Sequence, residues 1–127
     1  MFKRFLILTL LIISILTLTA CDEMTMSVYS MLNNQSKEPY YLWVGHRRAT
    51  DSDFVAIGGF RQISLTLQGK KNYGDVPNQI RDEIKVNASR NLEDPPVTQV
   101  FMVQEDYSSG KQFYIRWNGT GFSLDYQ

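Results

Sequence analysis

The sequence predicts an all-β domain, a small antiparallel β-sandwich of six to eight short strands that follows a cleaved signal peptide. Two observations support this fold class. Apolar and polar residues alternate in several short segments, as they do in strands with one buried face. Clusters of Gly, Pro and Asn separate these segments. An immunoglobulin-like sandwich and a small barrel both fit this spacing, so the choice between them stays open.

The first element is a signal, which precedes the domain. Lys3 and Arg4 form a basic start, Phe5 to Leu16 form an apolar stretch, and small residues precede Cys21, the only cysteine. Hydroxyl residues interrupt the apolar stretch, which is shorter than the roughly 20 residues that a membrane span needs. We therefore expect residues 1–20 to be removed, with residues 21–24 as a tether and residues 25–127 as one domain.

The end of the signal, Leu18-Thr19-Ala20-Cys21, resembles the lipobox of bacterial lipoproteins. The resemblance implies that Cys21 is diacylated on sulfur, becomes the new N-terminus and is usually acylated again on its amine. This covalent lipid is the only prosthetic group we expect. Two or three acyl chains on one residue give stable membrane attachment, whereas one chain binds marginally.

Two acidic residues follow the cysteine. In lipoproteins of two-membrane bacteria, acids at the positions of Asp22 and Glu23 resemble the signal for retention in the inner membrane. We therefore expect a lipid-anchored protein of the cell membrane, on the periplasmic face of the inner membrane if the organism has two membranes.

Composition restricts the function of the remaining 107 residues. This length fits one domain. Loss of Lys3 and Arg4 leaves 11 basic against 13 acidic side chains, a formal charge of −2, which argues against a nucleic-acid partner. With Cys21 used for lipid, no thiol remains for a disulfide.

Four strands are expected in the first half of the domain. Thr25 to Leu32 and Tyr40 to His46 are separated by a run of turn-forming residues, and Phe54 to Ile57 forms a short edge strand that ends at Gly58-Gly59. The clearest strand is 62–68, where three aliphatic residues alternate with polar ones.

The next segments complete the predicted sheet. Residues 79–88 fit helical and strand spacing alike, but β-branched residues and the lack of a helix cap favour a strand. Val97 to Glu105 carries a continuous apolar run, which is typical of a central strand covered on both faces. Phe113 to Trp117 and Phe122 to Tyr126 flank Asn118-Gly119, a hairpin signal. We expect residues 97–126 to form a three-stranded antiparallel meander.

Strand alternation predicts which loops lie near the membrane. If successive strands are antiparallel, His46-Arg47-Arg48 and Lys70-Lys71 share one end of the domain with the anchor. Each basic side chain close to an anionic membrane surface contributes about 1 kcal/mol. The opposite end would be free to bind a partner.

Catalytic and metal sites are not predicted. No local motif identifies the Ser and the acid that His46 would need for a catalytic triad. Asp51-Ser52-Asp53 offers oxygen atoms but lacks the glycine and distant glutamate of a calcium loop. The acidic doublets Asp82-Glu83 and Glu93-Asp94 do not converge on one substrate bond, because neighbours on a strand point to opposite faces.

Aromatic residues are assigned to the core ahead of a binding surface. Trp43 and Trp117 are expected to point inward, while either Tyr40 or Tyr41 must point outward because they are neighbours on one strand.

The resulting functional hypothesis is a non-enzymatic, membrane-anchored lipoprotein whose β domain binds another envelope protein, as an accessory subunit of an envelope or secretion assembly. An immunity, exclusion or inhibitor lipoprotein that captures an incoming toxin or enzyme remains an alternative, as does a carbohydrate- or peptide-binding module. The sequence leaves the oligomeric state open.

Overall fold

The computed structural model describes residues 22–127 and has an all-β fold, which confirms the predicted class. The signal peptide and Cys21 lie outside the described residues. Residues 79–88 are a strand, as favoured. The described part of the chain forms eight strands: β1 (Glu23–Asn34), β2 (Tyr40–Val44), β3 (Phe54–Val55), β4 (Phe60–Lys70), β5 (Gln79–Ser89), β6 (Val97–Asp106), β7 (Phe113–Trp117) and β8 (Phe122–Tyr126).

The strands form two layers that share one core. We call β3-β2-β5-β6 sheet I and β4-β1-β7-β8 sheet II. The two sheets are continuous where Gly69 and Lys70 of β4 pair with Ile80 and Gln79 of β5. A single cluster of buried apolar side chains draws on both sheets, so the layers face each other as a sandwich.

Strand pairing differs from the expected antiparallel meander. β6 pairs with β5 over ten residues, and the chain then crosses to sheet II, where β7 pairs in parallel with β1 and antiparallel with β8. The sheet is therefore mixed, and its strand order is not that of an immunoglobulin domain, whose sheets are A-B-E-D and C-F-G. The apolar run within β6 fits a hairpin with β5 as well as one with β7, so the pattern alone did not identify its partner.

The predicted hairpin between β7 and β8 is confirmed. Gly119 has a φ of 100°, which favours glycine, and Asn118 Oδ1 accepts hydrogen bonds from the backbone of Thr120 and Gly121.

The crossing from sheet II to sheet I requires a glycine. A Cβ at Gly69 would lie 2.4 Å from the carbonyl oxygen of Gln79 and 2.5 Å from Met26 Cε. Both distances are too short for a side chain, so the absence of a Cβ lets β4 and β5 meet above the core.

Side chains join the sheets where strand pairing stops. On one side, the Gln99 amide accepts from Phe122 N (3.0 Å) and donates to Phe122 O (3.3 Å), which ties β6 to β8. On the other side, Asp82 accepts from Gln68 N at 2.8 Å as β5 diverges from β4. These contacts satisfy backbone groups that would otherwise lack partners at the sandwich edges.

The two tryptophans differ in position: one lies in the core between the sheets and the other on an outer face. Trp117 is in the core, as predicted, and packs edge-to-face on Tyr40 at 5.3 Å between ring centroids. Trp43 is buried but lies on the outer face of sheet I, so its predicted inward direction was wrong. Leu42 takes the inward position on β2, and strand alternation then turns Trp43 outward beneath a loop.

The end of the domain at which β1 begins agrees with the predicted loop arrangement in part. Lys71 N donates to Asp22 O at 2.7 Å, and Glu23 pairs with Lys70. β1 begins at Glu23, two residues earlier than predicted, so only Asp22 separates Cys21 from the strand. The expected tether of residues 21–24 therefore overlaps β1.

The loop after β2 departs from the predicted arrangement. β2 is short and ends where Val44 pairs with Val86, three residues before the end of β5. The loop of residues 45–53 consequently lies beside the loop of residues 90–96, although strand alternation predicts these two loops at opposite ends of the domain. The structure does not bring His46-Arg47-Arg48 and Lys70-Lys71 together.

Candidate binding groove

A groove of about 600 Å³ lies on the outer face of sheet I. Residues 45–49, after β2, form one wall, and residues 92–96, between β5 and β6, form the other. Lys85, Asn87 and Thr98 form the floor. We call this feature the groove.

Hydrogen bonds fix the floor of the groove. Asn87 is 2% exposed, and its Nδ2 donates to Gly45 O at 2.9 Å while its Oδ1 accepts from Thr98 Oγ1 at 2.8 Å. Trp43 Nε1 donates to Arg47 O at 2.9 Å. The floor therefore holds the first wall in place through its backbone carbonyls.

A buried carboxylate fixes the same wall from behind. Asp53 is fully buried and accepts from both terminal nitrogens of Arg47 (2.6 and 2.7 Å), from Arg61 at 3.0 Å and from Thr50 N at 2.8 Å. These donors occupy both oxygens, so the carboxylate serves the loop and not a calcium ion. Within residues 22–127 there is no cluster of acids, His or Cys that could hold a metal.

The surroundings of Asp53 change two pKa values. Burial alone would raise the pKa of Asp53, but hydrogen bonds from Arg47 and Thr50, together with the charges of Arg47 and Arg61, bring it below its usual value. The hydrogen bond to Asp53 raises the pKa of Arg47. Both groups are charged at neutral pH.

The two walls carry opposite charges. His46, Arg47 and Arg48 are exposed on the first wall, and Lys85 Nζ lies 3.2 Å from His46 Nδ1. An ammonium group can only donate, so Nδ1 accepts this hydrogen bond. On the second wall stand Glu93 and Asp94.

The acidic wall is also held by the local chain. Asn91 Oδ1 accepts from the backbone nitrogens of Glu93 (3.0 Å) and Asp94 (2.7 Å). Pro95 and Pro96 follow and restrict the backbone before β6. Both walls are therefore built by internal hydrogen bonds, as expected of a largely pre-formed binding site.

The remaining predicted site residues lie near the start of β1. Asp22, Glu23 and Lys70 line a second depression together with Arg81. Lys85, beside His46, is six residues along β5 from Gln79, the partner of Lys70, a separation of about 20 Å at the usual rise of a strand. Of the two predicted basic loops, only that of Lys70-Lys71 therefore lies beside the start of β1.

Most of the aromatic residues considered for a binding surface pack within the domain. Phe113 stacks on Tyr126 at 4.6 Å, and Tyr41 contacts Phe54 edge-to-face at 5.7 Å. Trp43 alone among them lines the groove. The groove itself was not predicted, because its walls come from loops about 45 residues apart and its position depends on the unexpectedly short β2.

Comparisons with protein-family models, with curated proteins and with solved structures give no match for this chain. The fold and the groove are thus the basis for a functional proposal. In the part of the chain that the structure describes, no helix is long and apolar enough to cross a membrane.

Proposed function

We propose that this chain is a lipid-anchored lipoprotein of the bacterial cell envelope, and that it binds another envelope protein through the groove. The lipobox-like sequence supports the anchor, and the start of β1 one residue after Asp22 supports a domain held close to the bilayer. The protein would act as an accessory subunit of an envelope or secretion assembly.

The observation that carries the binding proposal is the pair of oppositely charged walls. A protein loop can offer side chains of both charge signs and apolar side chains, so it can complement both walls while contacting Leu92, which is 43% exposed. Charge complementarity of this kind gives specificity and faster association. The fixed walls favour binding further, because little conformational entropy is lost.

The hydrogen bond of His46 also supports binding over catalysis. Its ring contacts an ammonium group and not a Ser hydroxyl or a carboxylate. An imidazole held in this way is not arranged as the base of a nucleophile.

Two substitutions test the anchor. Cys21→Ser should abolish incorporation of radiolabelled palmitate and release the protein from the membrane fraction. Asp22→Ser should move the protein to the outer membrane fraction in a two-membrane organism. Unchanged membrane attachment of the Cys21 variant would contradict the lipid anchor.

Charge reversal tests the groove. Arg48 is exposed and forms no ion pair within residues 22–127, so Arg48→Glu should preserve the fold and weaken partner binding. Lys37→Glu, at an exposed turn position that does not line the groove, is the matched control. The tagged full-length protein is crosslinked in cells. The crosslinked products of each variant are then compared with those of the wild type. Equal loss or equal retention in the two variants would contradict the groove as the binding site.

Gene deletion separates the proposed role from its main alternative. An accessory subunit should lose transport or assembly when it is absent, whereas an immunity or exclusion protein should lose survival under challenge by neighbouring cells or phage.

A further inference from the structure

A second candidate binding surface is the outer edge of β6, where backbone groups lack a partner strand. Within residues 22–127, β6 pairs with β5 and with no other strand. Gly45 N donates to Lys85 O and Tyr107 N donates to Asn78 O, which fixes the alternation of hydrogen bonds across sheet I. Odd-numbered residues of β6 bond to β5, so the even-numbered residues direct their backbone groups to the free edge.

The same even-numbered residues present an apolar surface. Val100 is 50% exposed and Met102 is 77% exposed, on the outer face of sheet I. The sequence of this strand is typical of one covered on both faces, whereas the structure leaves its outer face uncovered. That prediction was wrong for the part of the chain that the structure describes. The exposed side chains of Val100 and Met102 stand next to the free edge, where side chains on the same face of an added strand would contact them.

The edge also lacks the usual protection against pairing. Natural edge strands carry Lys, Pro or a bulge that prevents association with another chain. β6 has ten residues and contains no Pro, Gly, Lys or Arg. Only its first part is occupied, by the contact of Gln99 with β8.

Charges at the two ends of β6 indicate the kind of strand that fits. Glu105 and Asp106 end the strand, and Glu93 and Asp94 lie in the loop before it. Antiparallel pairing of two copies would bring the acids at the end of one β6 towards the acidic loop of the other. A strand with basic ends would instead meet an acid at each end.

We propose that the free edge of β6 binds an extended strand of a partner protein, with apolar residues at its centre and Lys or Arg at both ends. This proposal rests on the proposed function and specifies how the partner binds. The partner would add a fifth strand to sheet I, with backbone hydrogen bonds to Val100, Met102 and Gln104. The added strand would lie beside the groove, since Thr98 belongs to both β6 and the groove floor.

A designed peptide tests the proposal on residues 22–127, which contain all eight strands and the whole described core. The probe is the capped peptide Lys-Lys-Thr-Val-Thr-Val-Thr-Lys-Lys, titrated into isotopically labelled protein and followed by amide chemical shifts. Shifts should concentrate on residues 98–106. A peptide with Glu in place of Lys, and one N-methylated at its valine amides, should each bind at least about tenfold more weakly.

Variants identify the edge as the binding surface. Met102→Lys should weaken binding of the Lys peptide about tenfold, because it removes an apolar contact and adds repulsion. Tyr29→Lys makes the same change at an exposed position on sheet II and should leave binding unchanged. Sedimentation checks that each variant is folded and monomeric.

Three outcomes would overturn the proposal: no shifts along β6, equal binding of the N-methylated peptide, or a dimer of the wild-type protein that Met102→Lys abolishes. If any of these outcomes occurs while crosslinking through the groove is retained, only binding by strand addition is contradicted. The proposed function is then still supported.

Discussion

Replacement of Asp53 by asparagine tests how the basic wall of the groove is held. The carboxylate accepts two hydrogen bonds from Arg47, one from Arg61 and one from Thr50 N, and it is fully buried. Asparagine has nearly the same shape, but its amide group would direct hydrogens towards a guanidinium group. The substitution therefore leaves two partly buried guanidinium groups, those of Arg47 and Arg61, without their anionic partner.

The expected decrease in the free energy of unfolding follows from these contacts. Breaking a buried ion pair by removing one partner costs about 3–5 kcal/mol, but Arg47 is half exposed and regains water, so we expect about 3 kcal/mol. With a urea dependence of about 1.5–2 kcal/mol per molar, the unfolding midpoint should fall by roughly 1.5–2 M.

Urea unfolding at pH 7, followed by tryptophan fluorescence, measures this change. Asp51→Asn is the control, because Asp51 lies in the same loop but is exposed, and its substitution should change the free energy of unfolding by less than about 0.5 kcal/mol. Chemical shifts of the amides of residues 45–49 should change in the Asp53 variant alone. Equal stability of the two variants would refute the assignment of Asp53 as the residue that holds this wall.

Three further predictions follow from the same structure. Because the folded-state pKa of Asp53 is lowered, its contribution to stability is present above about pH 4 and is lost as the pH falls through that lowered value, so the wild type and Asp53→Asn should converge in stability on acidification. Gly69→Ala should lower the free energy of unfolding in urea by about 2 kcal/mol, because the new Cβ would lie 2.4 Å from a backbone oxygen. Gly121→Ala should be nearly neutral, because no atom lies closer than 3.8 Å to the new Cβ. Equal effects of the two substitutions would contradict the close approach of β4 and β5. Gln99→Leu should cost about 1–2 kcal/mol and increase hydrogen exchange at the amide of Phe122, and unchanged exchange there would contradict the bridge between β6 and β8.

Local sequence patterns predicted most strands, because each depends on alternation within a few residues. The aliphatic residues at 63, 65 and 67 lie on the inner side of β4, and Asn118-Gly119 forms the expected turn. The two strands that flank this turn, β7 and β8, were also predicted in the right place. These features need no knowledge of which strands are neighbours.

Long-range pairing could not be predicted in the same way. The apolar run in β6 is compatible with β5 or β7 as a partner, and the parallel pairing of β1 with β7 joins residues more than 80 positions apart. The direction of Trp43 was wrong for a related reason. Its size favours the core, but strand alternation gave that position to Leu42, and the loop covering Trp43 depends on where β2 ends.

Prediction of the groove needs both local patterns and long-range pairing. Its charged residues are visible in the sequence, but their proximity depends on β2 ending opposite Val86, three residues before the end of β5. Asp53 was considered only as an oxygen donor for a metal, because its arginine partners, six and eight residues away, gave no local signal of an ion pair.

Site-specific photo-crosslinking in intact cells tests the central claim most directly. A photoreactive amino acid is placed at Arg48 in the groove and, in a separate strain, at Thr66 on the exposed outer face of sheet II. The account predicts a discrete crosslinked product with another envelope protein from position 48 and none from position 66. Crosslinking from position 66 alone, or from neither position, would contradict the groove as the surface that binds a partner.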